Sequence, residues 1–159
     1  MIHITPEQKE DYWEVEALYD LCFAPGREAL SSYRLRDGVP FLADLSLVMR
    51  DELGVLGAAI RYWPVLVGDT PVVLLGPVAV HPTRQGEGLG GLLISESTSR
   101  AAKLGWKHVL LVGDYSYYSR FGFERMPNVQ FPPPTNQSRV LGHSLIDTDF
   151  PTGQVGKVK

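Results

Sequence analysis

Residues 74–93 read LLGPVAVHPTRQGEGLGGLL, and the order of features in this stretch decides the fold. Val72 to Val80 is an apolar run rich in valine, the pattern of a buried strand. Pro77 cannot donate to a ladder, so the strand is expected to bulge or bend there. His81-Pro82 ends it, because a residue before proline is pushed away from helix. Gly86, Gly88, Gly90 and Gly91 follow in a chain that must turn with its N–H groups exposed. From Leu89 the apolar positions Leu89, Leu92, Leu93, Ala101 and Leu104 fit one helical face. The order is strand, glycine loop, helix N-terminus. Unpaired N–H groups and the positive end of the helix dipole meet there, which favours an anionic phosphate.

Gly86-x-Gly88-x-x-Gly91 spells a dinucleotide fingerprint, with Asp114 at roughly the ~20-residue distance such loops use. Its context differs: five residues, His81 to Gln85, separate the loop from the strand, and too little chain follows for a second nucleotide-binding half. The glycines could also serve only as a tight connection. A further pattern is Gln85-x-x-Gly88-x-Gly90 after a strand ending Val-Ala-Val-His-Pro. It resembles the pyrophosphate loop of the acetyl-CoA-dependent N-acetyltransferases, the GNAT superfamily.

At 159 residues, 44% hydrophobic and 21% charged, the chain has the composition of one globular domain able to bury a core. The expected core covers residues 1–146, with 147–159 a loose tail or marginal edge strand. The net charge of −3 and the lack of a basic run argue against a nucleic-acid surface. No apolar stretch reaches ~18 residues and no signal-peptide pattern is visible, so a cytoplasmic protein that does not enter a membrane is expected. Cys22 is the only cysteine, which suits a reducing compartment. The four histidines show no metal-ligand spacing, so no metal is expected.

Ile2 to Ile4 alternates as a short first strand. Thr5-Pro6-Glu7-Gln8 carries a helix start signal, and Val15, Leu18, Tyr19 and Cys22 recur at helical spacing to about Phe23. Cys22 on that face reads as a core residue. Ala24-Pro25-Gly26 ends the helix, and Glu28 to Arg36 predicts a short second one. Leu45–Arg50 and Val55–Tyr62 predict a hairpin about Asp51–Gly54. Asp69-Thr70-Pro71 turns into the organising strand, which gives three antiparallel strands. The helix after Gly88 crosses back to His108–Val112, and a strand–helix–strand crossover implies a parallel pair. The fold class is therefore α+β with a mixed, mainly antiparallel sheet. Pro132-Pro133-Pro134 is a stiff loop, and Val140–Ile146 suits a last strand.

Past Val112 the chain reads Gly113-Asp114-Tyr115-Ser116-Tyr117-Tyr118-Ser119-Arg120-Phe121-Gly122-Phe123. Tyr115, Tyr118 and Phe121 fit adjacent helical turns, stopped by Gly122. Tyr-x-x-x-Gly-Phe resembles the GNAT segment that carries the catalytic tyrosine. The longer string resembles one bacterial subgroup of N-acetyltransferases. Together with the loop, the resemblance covers about Val48 to Met126. It implies a GNAT-like sheet flanked by helices, with its parallel pair splayed around the cofactor. It implies acetyl-CoA as cosubstrate, coenzyme A as product, and direct transfer of acetyl to the primary amine of a small molecule or peptide. Cofactor contacts are implied at Val78, Ala79, Val80, Gln85, Gly86, Glu87, Gly88, Leu89, Gly90, Gly91 and Tyr118. Tyr118 falls at the general-acid position, and the N–H of Val80 is the candidate donor to the thioester carbonyl. Many relatives carry an Asn about seven residues before the tyrosine, and Leu111 stands there here, so that contact is not carried over.

A lysine-like amine has pKa ~10.4 and arrives protonated. No base is evident: Asp114, Glu52 and His81 are candidates, beside a water relay. The acceptor pocket is expected from the Cys22–Val39 region, the Asp51–Gly54 turn and the loop after Phe123. There Glu28, Asp37, Asp51 and Glu52 could attract a cation, although ordinary solvated charges would look the same. Relatives often form homodimers, but nothing in this sequence specifies an interface. The missing base also fits a different class, a non-catalytic acyl-CoA sensor.

Overall fold

A computed structural model describes residues 2–23 and 31–158. Among these the elements are β1 (His3–Pro6), α1 (Tyr12–Cys22), α2 (Ser31–Arg34), β2 (Leu47–Arg50), β3 (Leu56–Val67), β4 (Thr70–Val80) and α3 (Leu89–Lys103). They continue with β5 (His108–Val112), α4 (Tyr115–Tyr118), β6 (Glu124–Arg125), β7 (Val129–Gln130), β8 (Val140–Ser144) and β9 (Gly153–Lys157). The expected end of the first helix at Ala24-Pro25-Gly26 and the start of the second at Glu28 lie outside the described residues.

Alternation along the strands assigns two faces to the sheet. Leu47, Met49, Ala58 and Ile60 pack with Leu89, Leu93 and Ile94 of α3. Val48, Ala59 and Ala79 pack with Val15, Leu18 and Tyr19 of α1. The main path runs β1-β2-β3-β4-β5-β8-β6. It is antiparallel except for β4 and β5, which pair in parallel. The expected α+β mixed sheet with its parallel pair is therefore present.

Several expectations give way to packing. Thr5 and Pro6 belong to β1, paired with β2, and the first helix begins later, through a 3-10 turn at Lys9–Asp11. The start signal loses because β2 offers these residues a full ladder. Leu92 and Leu104 stand 48% and 54% exposed. The buried face of α3 is instead Leu89, Leu93, Ile94, Ser97 and Ala101. Ser97 breaks the apolar pattern but is satisfied, its hydroxyl 2.7 Å from that of buried Tyr62. The strand expected over Val55–Tyr62 runs on to Val67. Pro64 falls between the β2-paired and β9-paired parts of β3, where its missing donor breaks no ladder bond. The tail forms β9, which pairs with β3 and, in parallel, with β7, and it buries Val155.

Arg61, only 3% exposed, lies in β3. Its Nε and Nη2 donate to the two carboxylate oxygens of buried Glu7, at 2.9 and 2.8 Å, and its Nη1 donates to Glu16 of α1. This pair ties the β1–α1 junction to the sheet centre. Breaking a buried pair leaves an uncompensated charge. Glu7→Gln should cost about 3 kcal/mol, at the low end of that effect because Glu16 remains. Urea unfolding should show a lower midpoint at unchanged slope; a midpoint within error of the parent would refute the role.

Candidate functional site

Pairing of β4 with β5 stops after two registers, Val73↔Val109 and Leu74↔Leu110. The cause lies in β4. Opposite β3, Tyr62 pairs with Leu75 and Ile60 with Val78, so Arg61 alone faces Gly76 and Pro77. This is the bulge anticipated at Pro77. Beyond it the strands part. The Tyr19 hydroxyl donates to the Pro77 carbonyl at 3.1 Å, Arg36 Nη1 to the Gly76 carbonyl at 3.4 Å, and Cys22 Sγ to the Val80 carbonyl at 3.3 Å. Cys22, read as a core residue, thus packs half-buried at the edge of the α1 cluster and touches the end of β4. The His81 N–H donates to the Gly57 carbonyl at 2.8 Å. Alternation of the antiparallel ladder then turns the N–H groups of Val78 and Val80 away from β3, into the opening. Ala79 faces the other way, its side chain buried against α1.

The glycine loop stands where the sequence placed it. Gly86 and Gly88 have φ of 90° and 78°, and Gly88 caps α3 in the left-handed conformation. No side chain caps the first turn of α3, so its N–H groups remain for a ligand. A groove here is lined by Val80, Gln85, Gly86, Gly88, Leu89 and Gly90, with Arg84, Tyr117 and Arg120. Glu87 does not oppose an anion freely, because its carboxylate takes three hydrogen bonds from Arg84 at 2.9 to 3.1 Å. Gly91 serves packing: a Cβ there would lie 3.1 Å from the Phe121 ring.

Asp114 starts α4 by accepting from the N–H and hydroxyl of Ser116. The helix passes into a 3-10 turn and ends at Gly122, φ 92°. Tyr118 thereby faces a cavity of about 540 Å³ in the parted strands, lined also by Leu74 to Val78 and Val112 to Asp114. Burial pushes the Tyr118 phenol up to about 12, so it holds its proton throughout the neutral range. Tyr117 packs over Gly90: a Cβ on Gly90 would meet its hydroxyl at 3.0 Å. Tyr117 therefore lines both the loop groove and the Tyr118 cavity. Leu111 is buried in the core.

The expected acceptor pocket is only partly assembled. Phe23, Tyr33 and Arg36 line the cavity, but the Asp51–Gly54 turn and the loop after Phe123 do not; Arg139 does. Asp51 is occupied with its own turn, accepting from Leu53 and Val55 N–H, and lies 3.7 Å from Arg84. Asp37 lines a second cavity with Glu16 and Arg34, which shares Tyr33 and Arg36 with the first, and Glu28 lies outside the described residues. Of the candidate bases only Asp114 borders Tyr118's cavity; the His81 ring is instead hydrogen-bonded to Thr83. Arg36 escaped the sequence reading because nothing local marks it. Arg139 lies past the motif-bearing segment, and folding alone brings it back.

Residues 5–123 match the family model for the Acetyltransferase (GNAT) family. The chain is 35% identical over 150 residues to a protein of Escherichia coli K12 named uncharacterized N-acetyltransferase YhbS, covering 91% of this chain and 87% of that one. A crystal structure of Escherichia coli YhbS in complex with CoA matches with a TM-score of 0.84 and 29% identity, over 99% of this chain and 89% of that one. A Brucella melitensis GNAT acetyltransferase in complex with acetyl-CoA gives 0.74 and 28%, over 99% and 96%. The parted strands, the glycine loop and the tyrosine are those of an acyltransferase fold, and this chain belongs to the GNAT acetyltransferase family. Among the described residues no helix is long and apolar enough to cross a membrane.

A Cβ at Gly113 would sit 2.6 Å from Cε2 of Tyr118, a ring atom with no flexible end to yield. Gly113→Ala should therefore cost about 1–3 kcal/mol of stability by overpacking and swing the Tyr118 ring. A crystal structure of the variant with the ring in place, and an unchanged urea midpoint, would refute the contact.

Proposed function

We propose that this chain transfers an acetyl group from acetyl-CoA directly to the primary amine of a small molecule or peptide. The observation that carries the reading is the opening in β4–β5, where the outward N–H of Val78 borders the cavity with the Tyr118 phenol and that of Val80 lies further along the same edge, at the loop groove. The residues suit this cosubstrate. Its pyrophosphate fits the uncapped first turn of α3 and the N–H groups around Gly86 and Gly88. Its extended amide arm suits the unpaired edge of β4, as an added strand would. When bound it supplies a thioester and a thiol leaving group.

The chain's own groups then have defined tasks. The Val80 N–H orients and polarises a carbonyl held at the end of β4. The Tyr118 phenol keeps a proton and can donate it to a thiolate, whose conjugate acid has pKa ~8.5 on the cysteine scale. Asp114 lines the same cavity, which supports it over Glu52 and His81 as the base that accepts the amine's proton, directly or through water.

The test is thiol release from acetyl-CoA over a panel of amines, amino acids, peptides and polyamines. Turnover is expected. CoA binding without acetylation of any of them would instead make the chain an acyl-CoA sensor. Gly88→Glu sets bulk and negative charge on the phosphate site, so calorimetry should find CoA binding lost; parental affinity, or a parent that prefers NAD, would overturn the loop assignment. Tyr118→Phe keeps the ring and should lower kcat by ~10²-fold with CoA affinity intact. Because burial raises this phenol to about 12, its acid form persists as pH rises through the ordinary tyrosine range. No loss of kcat should therefore titrate with it below pH ~11. An alkaline limb near pH 9 that vanishes in Tyr118→Phe would contradict the assignment.

A further inference from the structure

Arg36 is a half-buried guanidinium in the cavity that holds Tyr118. It lies 3.5 Å over the Tyr33 ring and 4.5 Å from the centre of the Trp63 ring. Its hydrogen bond to the Gly76 carbonyl is long, at 3.4 Å. Among the described residues no carboxylate pairs with it. The contrast with buried Arg61 is instructive, since that cation takes both Glu7 and Glu16. Desolvating a cation without a counter-ion is costly, and burial does push the Arg36 guanidinium below its usual range. The other charged groups lining this cavity are Arg139 and Asp114. Arg139 adds positive charge, and the Asp114 carboxylate is engaged by Ser116. An acceptor reaching Tyr118 therefore meets more positive than negative charge, the reverse of what a plain polyamine would need.

We propose that the acceptor carries a compact anion, carboxylate or phosphate, beside its amine, and that Arg36 is the residue that reads it. The inference rests on the acetyltransferase reading and names its substrate class. The Tyr33 ring covers a face of the guanidinium, so an anion meets its edge, the approach by which arginine pairs bidentately with carboxylate or phosphate. Such pairing holds the amine end of the acceptor at a fixed distance from the anion. Arg36 is thus a specificity-determining residue. Arg139, exposed at the rim, adds attraction more than fit.

The test compares matched acceptors on the intact enzyme: β-alanine against β-alaninamide, an α-amino acid against its amide, and phosphoethanolamine against ethanolamine. In at least one pair the anionic member should have a kcat/KM at least about 30-fold higher, the scale expected for a desolvated charge pair. The pair that shows the preference tells carboxylate from phosphate. In Arg36→Gln that preference should collapse toward one, through a rise in KM for the anionic member. Arg36→Lys should restore less of it for carboxylate than for phosphate. If Arg36 merely braces the bulge at Gly76, Arg36→Gln lowers the melting temperature and alters both members alike, and the inference fails. A parental ratio near one, or a ratio that survives Arg36→Gln, also overturns it, and the parental ratio needs no variant to fold. Failure of every acceptor to be acetylated would sink the acetyltransferase reading itself. Equal acetylation of neutral and anionic members would sink only this inference.

Discussion

The site depends on a missing hydrogen bond. Pro77 has no N–H, and together with Gly76 it faces a single residue of β3, Arg61. From this bulge onward β4 cannot keep pace with β5, and parallel pairing ends at Leu74. Buried backbone groups must still find partners, and the chain supplies them selectively. Tyr19, Cys22 and Arg36 cover the carbonyls of Pro77, Val80 and Gly76. The N–H groups of Val78 and Val80 on the same edge receive no strand. An edge with several of its acceptors covered and its donors unspent is a template for an extended ligand that brings carbonyl oxygens.

The two faces of the sheet hold that edge in place by different physics. On one, α3 packs by interdigitated aliphatic side chains, and its first turn presents the loop at the end of β4. On the other, α1 is fixed partly by apolar contact and partly by the Glu7–Arg61–Glu16 ion cluster. Arg61 is the residue opposite the bulge. The ion cluster and the opening therefore meet at one register change, seen from neighbouring strands.

The strand, loop and tyrosine helix could be read because their signals are local. A proline in an apolar run, glycines before a helical face, and tyrosines three residues apart before a glycine each constrain the backbone where they stand. What escaped the reading is nonlocal. Glu7 looked like a first-turn acid, and its partner lies 54 residues away. Ser97, which the apolar spacing passed over, is buried on α3 because the Tyr62 hydroxyl meets it. The strand expected to stop at Tyr62 runs on past Pro64, which sits where β3 changes partner from β2 to β9. The charges on the acceptor side were hard to read for a similar reason. Acidic residues were sought because an amine is cationic, but Asp51 is consumed by its own turn and Asp37 lies across Arg36 and Tyr33, in the cavity that adjoins Tyr118's.

Charge shows most clearly why composition alone could not describe the site. The chain carries a net charge of −3, which on composition speaks against a nucleic-acid surface. The two recesses that share Tyr117 are nevertheless lined by Arg84 and Arg120 at the loop and by Arg36 and Arg139 beside Tyr118, with Asp114 the one carboxylate among the described residues lining either. Of these cations Arg84 is already paired with Glu87, whereas Arg36 is desolvated and stacked on an aromatic ring. Salt screens interactions across an exposed surface within about 8–10 Å, but it screens far less inside a cleft with low-dielectric walls. The field that a bound anion meets is thus set by a few guanidinium groups close at hand, and the excess of acidic residues elsewhere on the surface leaves it nearly unchanged.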